Sequence, residues 1–279
     1  MKRNRKVKSV SKSIAFYFAI SFLALFFIAP VIWMLITSLQ PYRNLIDMSN
    51  FNIWESSLKT YVDLFHKEMF LRAFKASVII TVISTALTMI VSVMCAYATA
   101  FFRFKGKDLV SFGTLSIQMA PAIILIIPLY IILTKLGLSG SYPGITAVFV
   151  MFMAPMTAWM MRGFFQDVPY ELYESARIDG CTKLGIMYRI VLPVVRPGVA
   201  SCAIFTFITA WNEVLIPLVL SNSETGTLTM FVTTYATQYD VDFGGMAAAG
   251  IFTSIPGIIL VIFFNRQLID GLVEGAVKG

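Results

Sequence analysis

Charged residues in this chain leave six long gaps, and those gaps narrow the fold more than any motif does. No Asp, Glu, Lys or Arg occurs at residues 13–42, 76–102, 109–134 or 136–161. Residues 197–223 hold one charge, Glu213, and residues 243–265 hold none. A helix needs about 20 apolar residues to cross the hydrocarbon core, so each window accommodates one crossing. Lipid offers backbone N–H and C=O groups no partner, which leaves helices and closed barrels as the spanning structures. A barrel would show short alternating segments instead. The windows therefore predict an all-α membrane protein with six transmembrane helices.

Composition excludes the other classes. The chain is 58% apolar and only 13% charged, about half the charge of a soluble domain. That balance also excludes disorder. A net charge of +7 in a soluble protein would invite a nucleic-acid reading. In a membrane protein the excess belongs to cytoplasmic loops, and no nucleic-acid partner is predicted. Cys95, Cys181 and Cys202 lie in or beside apolar stretches without a CxxC pair, and read as small buried hydrophobes.

The basic residues orient the spans. Sixteen of the 22 fall in the N-terminal stretch, the turn FRFKGKD, residues 162–197 and the C-terminal tail. The positive-inside rule places all four in the cytoplasm, with both termini on that side. Residues 1–12 are then a cytoplasmic N-terminus, 13–265 one six-span domain and 266–279 a cytoplasmic tail. The first apolar stretch is much longer than a signal core of about 7–15 residues, so it is expected to remain as a span. Two external segments follow. Residues 40–72 carry Phe51, Trp54, Tyr61 and Phe65, and either lie along the interface or meet an external partner. Residues 222–242 are Thr-rich and acidic with no basic residue.

The longest cytoplasmic loop reads RGFFQDVPYELYESARIDGCTKLGIMYRIVLPVVRPG. Asp167 and Pro169 suggest a helix start. Tyr170 to Ile178 suits a short helix, which Gly180 ends in a left-handed conformation. Cys181 to Leu192 suits a second helix with Leu184, Met187, Ile190 and Val191 on one face. Neither is long enough to cross a bilayer. A helix–Gly–helix hairpin of this kind rests on the membrane surface or in another protein's groove, unless it merely carries topology-setting arginines.

One residue string goes further. Glu174-Ser175-Ala176, Asp179-Gly180, Ile190, Leu192-Pro193 and Pro197 closely resemble the "EAA" loop of ABC-importer permeases, with Ser175 a small-for-small departure. FRFKGKD, WNEVLIPLVL and the closing GLVEGAVKG resemble the shorter permease of carbohydrate importers of the maltose-transporter type. The resemblance covers nearly the whole chain. It implies a type I ABC-importer permease fold in a bacterial or archaeal cytoplasmic membrane, with residues 167–193 as a coupling hairpin between spans 4 and 5. It also implies a second homologous permease subunit, two ATP-binding subunits and an extracytoplasmic substrate-binding protein as partners, in addition to the lipid bilayer. In the implied docking, Glu174, supported by Glu171, meets a basic cleft. Ser175 and Ala176 form a small face for close approach. Gly180 reverses the chain, and Asp179 caps the second helix or pairs with Arg177.

Within the spans, Glu213 is the only charge, and an ionised group at the bilayer centre costs ~3 kcal/mol or more unless it faces protein or water. Trp211, Asn212 and Glu213 either line a translocation path or form a buried hydrogen-bond knot between helices. Gln118 and Met119, before Pro121, are further pathway candidates. Pro30, Pro121, Pro128, Pro155, Pro217 and Pro256 all fall within spans, where proline is tolerated if neighbours re-satisfy the freed carbonyls.

No GxxxxGK[ST] loop, HExxH or GxSxG occurs, and the one histidine is His66. The chain is expected to have no catalytic residues, no metal and no cofactor of its own, with ATP bound by partner subunits. Three functions stay open. They are a sugar permease of an ATP-driven importer, the same machine carrying a polyol or glycerol phosphate, and a stand-alone ion-coupled carrier.

Overall fold

The computed structural model describes residues 2–46, 52–237 and 240–276, with the side chains of 2–15, 108, 111, 115, 117 and 265–276 left out. Phe51, the side chains of residues 1–12 and 266–279, and the last three residues of GLVEGAVKG therefore lie outside the described residues. Apart from one antiparallel bridge between Ala236 and Val241, the regular structure of the described residues is helical.

In chain order the helices are α1 (Lys2–Leu39), α2 (Tyr42–Ile46), α3 (Lys59–His66), α4 (Glu68–Phe101), α5 (Lys107–Gln118), α6 (Ala122–Lys135) and α7 (Tyr142–Gln166). There follow α8 (Tyr170–Ile178), α9 (Lys183–Ile186), a π-helical turn (Met187–Val191), α10 (Leu192–Val194), α11 (Arg196–Asn212), α12 (Leu215–Leu220), α13 (Leu228–Thr233) and α14 (Phe243–Ala276).

Four helical stretches are long and apolar enough to cross a membrane: Phe16–Leu39, Glu68–Phe101, Tyr142–Gln166 and Phe243–Phe264. Counting the bent pair Lys183–Val194 and Arg196–Asn212 as one gives up to five. The difference from six lies in two windows whose helices are interrupted. The third divides into α5 and α6 at Met119–Pro121, where Pro121 stands at the cap position of α6. The fifth divides into α11 and α12 at Glu213 and Val214. Pro217 explains that break. A proline donates no hydrogen bond to the carbonyl four residues back and clashes with it. The carbonyl concerned is that of Glu213, which accepts instead from the Thr229 hydroxyl at 2.8 Å.

The chain forms two compact units. Residues Met1–Lys67 and Val232–Phe252 make the first, Glu68–Phe231 and Thr253–Gly279 the second. In the first, α1 leaves its apolar side chains uncovered, as a lipid-facing helix would (Phe18 73%, Phe27 71% exposed). Polar bonds tie the loops around it: Tyr61 meets Ser38 at 2.7 Å, and the Tyr42 hydroxyl donates to the Asp240 carboxylate at 2.6 Å. Arg43 and Asn44 both donate to Glu55 and hold its carboxyl below the usual carboxylate range. Phe65 packs edge-on against Phe252, whereas Trp54 is 91% exposed.

The second unit is built on α4 against α7. A buried stripe of small residues (Ser77, Thr81, Ser84, Thr88, Ser92 and Ala96) runs along α4 at helical spacing. Small side chains let membrane helices approach closely. The Ser92 hydroxyl reaches the Ala154 carbonyl of α7. The α7–α11 crossing is equally tight, since a Cβ on Gly198 would fall 2.3 Å from the Phe164 ring. Gly198→Val is expected to destabilise the chain by about 1–3 kcal/mol. A lowered unfolding midpoint in detergent checks it, and an unchanged midpoint would contradict the packing.

Candidate functional site

Two features of the second unit bring predicted residues together. One is the hairpin of α8 to α10. Tyr170–Ile178 forms the first arm, with Pro169 at its cap position. Asp167, predicted to start this helix, instead caps the C-terminus of α7. Gly180 has φ +81°, as its role at the turn requires. The Cys181 N–H bonds the Ala176 carbonyl and the Gly180 N–H bonds that of Arg177. That is a complete Schellman closure, which leaves few carbonyls without a partner. Asp179 is the C-cap residue of α8, and the second arm is capped by Thr182, whose hydroxyl accepts from the Gly185 N–H at 3.1 Å. No Asp179–Arg177 ion pair forms among the described residues.

An aromatic bed fixes the hairpin to the end of α4. Phe101, Tyr170 and Tyr173 pack as a triangle of near-parallel rings, with Tyr173 5.2 Å from Phe101 and 5.6 Å from Tyr170 between centroids, and the Tyr97 hydroxyl donates to the Lys183 carbonyl at 2.7 Å. Ala176, Ile186, Met187 and Val191 are buried beneath the arms. This corrects two assignments. Ala176, expected on a small face for close approach, is buried, and Leu184, expected to share one face with Met187, Ile190 and Val191, is exposed while Met187 and Val191 are buried. The π-helical turn rotates the second arm away from simple helical spacing. Pro193 and Pro197 then end it in an 83° bend before α11.

What the hairpin shows to solvent is mixed. Glu171, Glu174, Ser175, Asp179 and Gly180 are exposed. Beside them stand three apolar side chains that the motif did not single out: Ile178 (85% exposed), Tyr188 (62%) and Leu184 (59%). Ile178 is visible in the sequence only as an apolar residue between Arg177 and Asp179.

The other feature is a cavity of about 280 Å³ at the two helix breaks. Gln118 and Ala122, which flank the α5–α6 break, line it together with Glu213 and Ile216, which flank the α11–α12 break. Thr157, Thr206 and Thr209 add hydroxyls, and Phe152, Phe205 and Met156 add apolar walls. Gln118 Nε2 donates to the Phe152 carbonyl at 3.0 Å. Glu213 Oε1 accepts from the Leu215 and Ile216 N–H groups at 2.7 and 3.2 Å, so the carboxylate caps α12. The remaining three candidates lie elsewhere, and Met119 is exposed outside the cavity lining. Trp211 is buried, stacks on Phe207 and donates from Nε1 to the Thr253 carbonyl. Asn212 is exposed and turns back to the Ile208 carbonyl. Trp211 is thus a packing anchor, and neither it nor Asn212 lines the cavity.

Comparison with known proteins follows the same lines. Residues 88–272 match the family described as binding-protein-dependent transport system inner membrane component. The chain is 33% identical over 254 residues to the diacetylchitobiose uptake system permease protein of Streptomyces coelicolor, covering 90% of this chain and 91% of that one. It is 32% identical to the trehalose transport system permease protein of Mycobacterium tuberculosis (90% and 92% covered). It is also 32% identical to an arabinooligosaccharides transport system permease protein of Halalkalibacterium halodurans (93% and 94%). Among solved structures, a bacterial ABC transporter that imports the acidic polysaccharide alginate superimposes with a TM-score of 0.78 at 19% identity, covering 91% of this chain and 95% of that one. At that identity the likeness concerns the fold.

Proposed function

Since the chain belongs to the family of binding-protein-dependent transport system inner membrane components, we propose that it is one permease subunit of an ATP-driven importer of sugars or oligosaccharides. In this reading it pairs with a second homologous permease, two ATP-binding subunits and an extracytoplasmic binding protein. ATP is held by those partners. The interrupted third and fifth windows each cross the bilayer as a broken helix, giving six spans with both termini and the hairpin in the cytoplasm.

The observation that carries the proposal is the hairpin. Its inner side is clamped by an aromatic bed and its outer side presents acidic and apolar side chains around a left-handed glycine. A rigid body with an uncovered outer face can transmit a partner's movement to α4 and α11. The cavity at the two breaks supplies the passage, since interrupted backbone in a membrane is tolerated where it lines a cavity. A stand-alone ion-coupled carrier has less support. Such a carrier uses several ionisable groups, and among the described residues Glu213 is the one that lines the cavity, with one oxygen engaged in capping.

Reconstitution in proteoliposomes tests this. With its partner subunits the chain should take up at least one of trehalose, arabino-oligosaccharide or diacetylchitobiose, and only with ATP. Uptake by the chain alone without ATP would overturn the proposal.

A further inference from the structure

We infer that the cavity at the two helix breaks selects neutral, hydroxyl-rich solutes over acidic ones, with Glu213 as the discriminating charge. This rests on the reading of the chain as a permease and adds a substrate class to it. Among the described residues that line the cavity Glu213 is the only ionisable one, and none is Lys, Arg or His.

The hydrogen-bond inventory points the same way. Thr209 spends its hydroxyl hydrogen on the Phe205 carbonyl. Thr157 and Thr206 share two hydroxyl hydrogens among three contacts, to Met153, to Cys202 and to each other. Gln118 spends one of its two amide hydrogens on Phe152. What remains toward the cavity is dominated by acceptors: the second Glu213 oxygen, the Gln118 carbonyl and threonine lone pairs.

A neutral sugar carries many O–H donors and fits that inventory, while Phe152 and Phe205 offer flat apolar surface to its ring. A carboxylate or sulfate brings only acceptors and a like charge. Both oppose entry, and the low-dielectric surroundings amplify the repulsion.

The test places a thiol in the cavity and reads its electrostatics directly. In the complete importer with Cys95, Cys181 and Cys202 replaced by Ala, Thr209→Cys is exposed to methanethiosulfonates of equal size, one cationic (trimethylammonium) and one anionic (sulfonate). The cationic reagent should react at least roughly tenfold faster after correction for intrinsic rates. Glu213→Gln, which keeps the oxygen that caps α12, should bring the ratio near one. Gln118→Glu should raise it, and serves as the second readout if Glu213→Gln does not fold. Equal rates for the two reagents, or no labelling in any nucleotide state, would overturn the inference. Failure of the parent reading shows separately, as absence of ATP-dependent sugar uptake by the complete unlabelled importer.

Discussion

Gly180→Arg is expected to stop transport while the chain stays inserted and folded. Two observations separate these effects. The φ of +81° at Gly180 costs an L-residue ~1–2 kcal/mol, which a folded membrane domain tolerates. Among the described residues, no atom outside its two chain neighbours lies within 4 Å of where a Cβ would stand, so the new side chain starts into open space. It projects from the hairpin tip into the space proposed for the ATP-binding subunit. The expected outcome is loss of that subunit on affinity purification of the permease, with sugar uptake falling to background. Normal unfolding behaviour of the variant in detergent distinguishes uncoupling from misfolding.

Ile178→Asp should weaken the same docking by a different route. Ile178 is 85% exposed in the isolated chain, and an isoleucine buried in an interface contributes about 1.5–3 kcal/mol. Replacing it with a charge forfeits that burial and adds desolvation, so affinity for the ATP-binding subunit should fall at least about tenfold. Ile178→Leu should keep it. Titration of the ATP-binding subunit onto the reconstituted permease checks both, and equal affinity for the Asp variant would remove Ile178 from the docking face.

Much of this architecture was legible in the sequence because charge and proline act locally. The charge-free windows follow the cost of burying ions in lipid, and four of them correspond to long apolar helices. The α5–α6 break falls where Pro121 forbids a continuous helix. The glycine turn is equally direct, because Gly180 alone in that stretch adopts a left-handed backbone freely. What escaped depends on contacts between distant residues. The α11–α12 break is caused by Pro217 four residues downstream, but it is held open by Thr229, sixteen residues beyond Glu213. The inward turn of Ala176 and the outward turn of Leu184 depend on the aromatic bed and on a π-helical turn that 3.6-residue spacing does not anticipate. Trp211 looked like Glu213 in the string, yet Trp211 still lies within α11, whereas Glu213 stands in extended backbone at the break beyond it.

The central claim is that the hairpin couples the permease to ATP while the cavity passes the solute. Its most direct measurement is retention of the ATP-binding subunit, alongside sugar uptake, for Gly180→Arg and Glu213→Gln purified in parallel. The account predicts that Gly180→Arg loses the ATP-binding subunit, whereas Glu213→Gln keeps it and changes uptake or solute preference. Gly180→Arg that retains the subunit at the wild-type level and transports normally would contradict it.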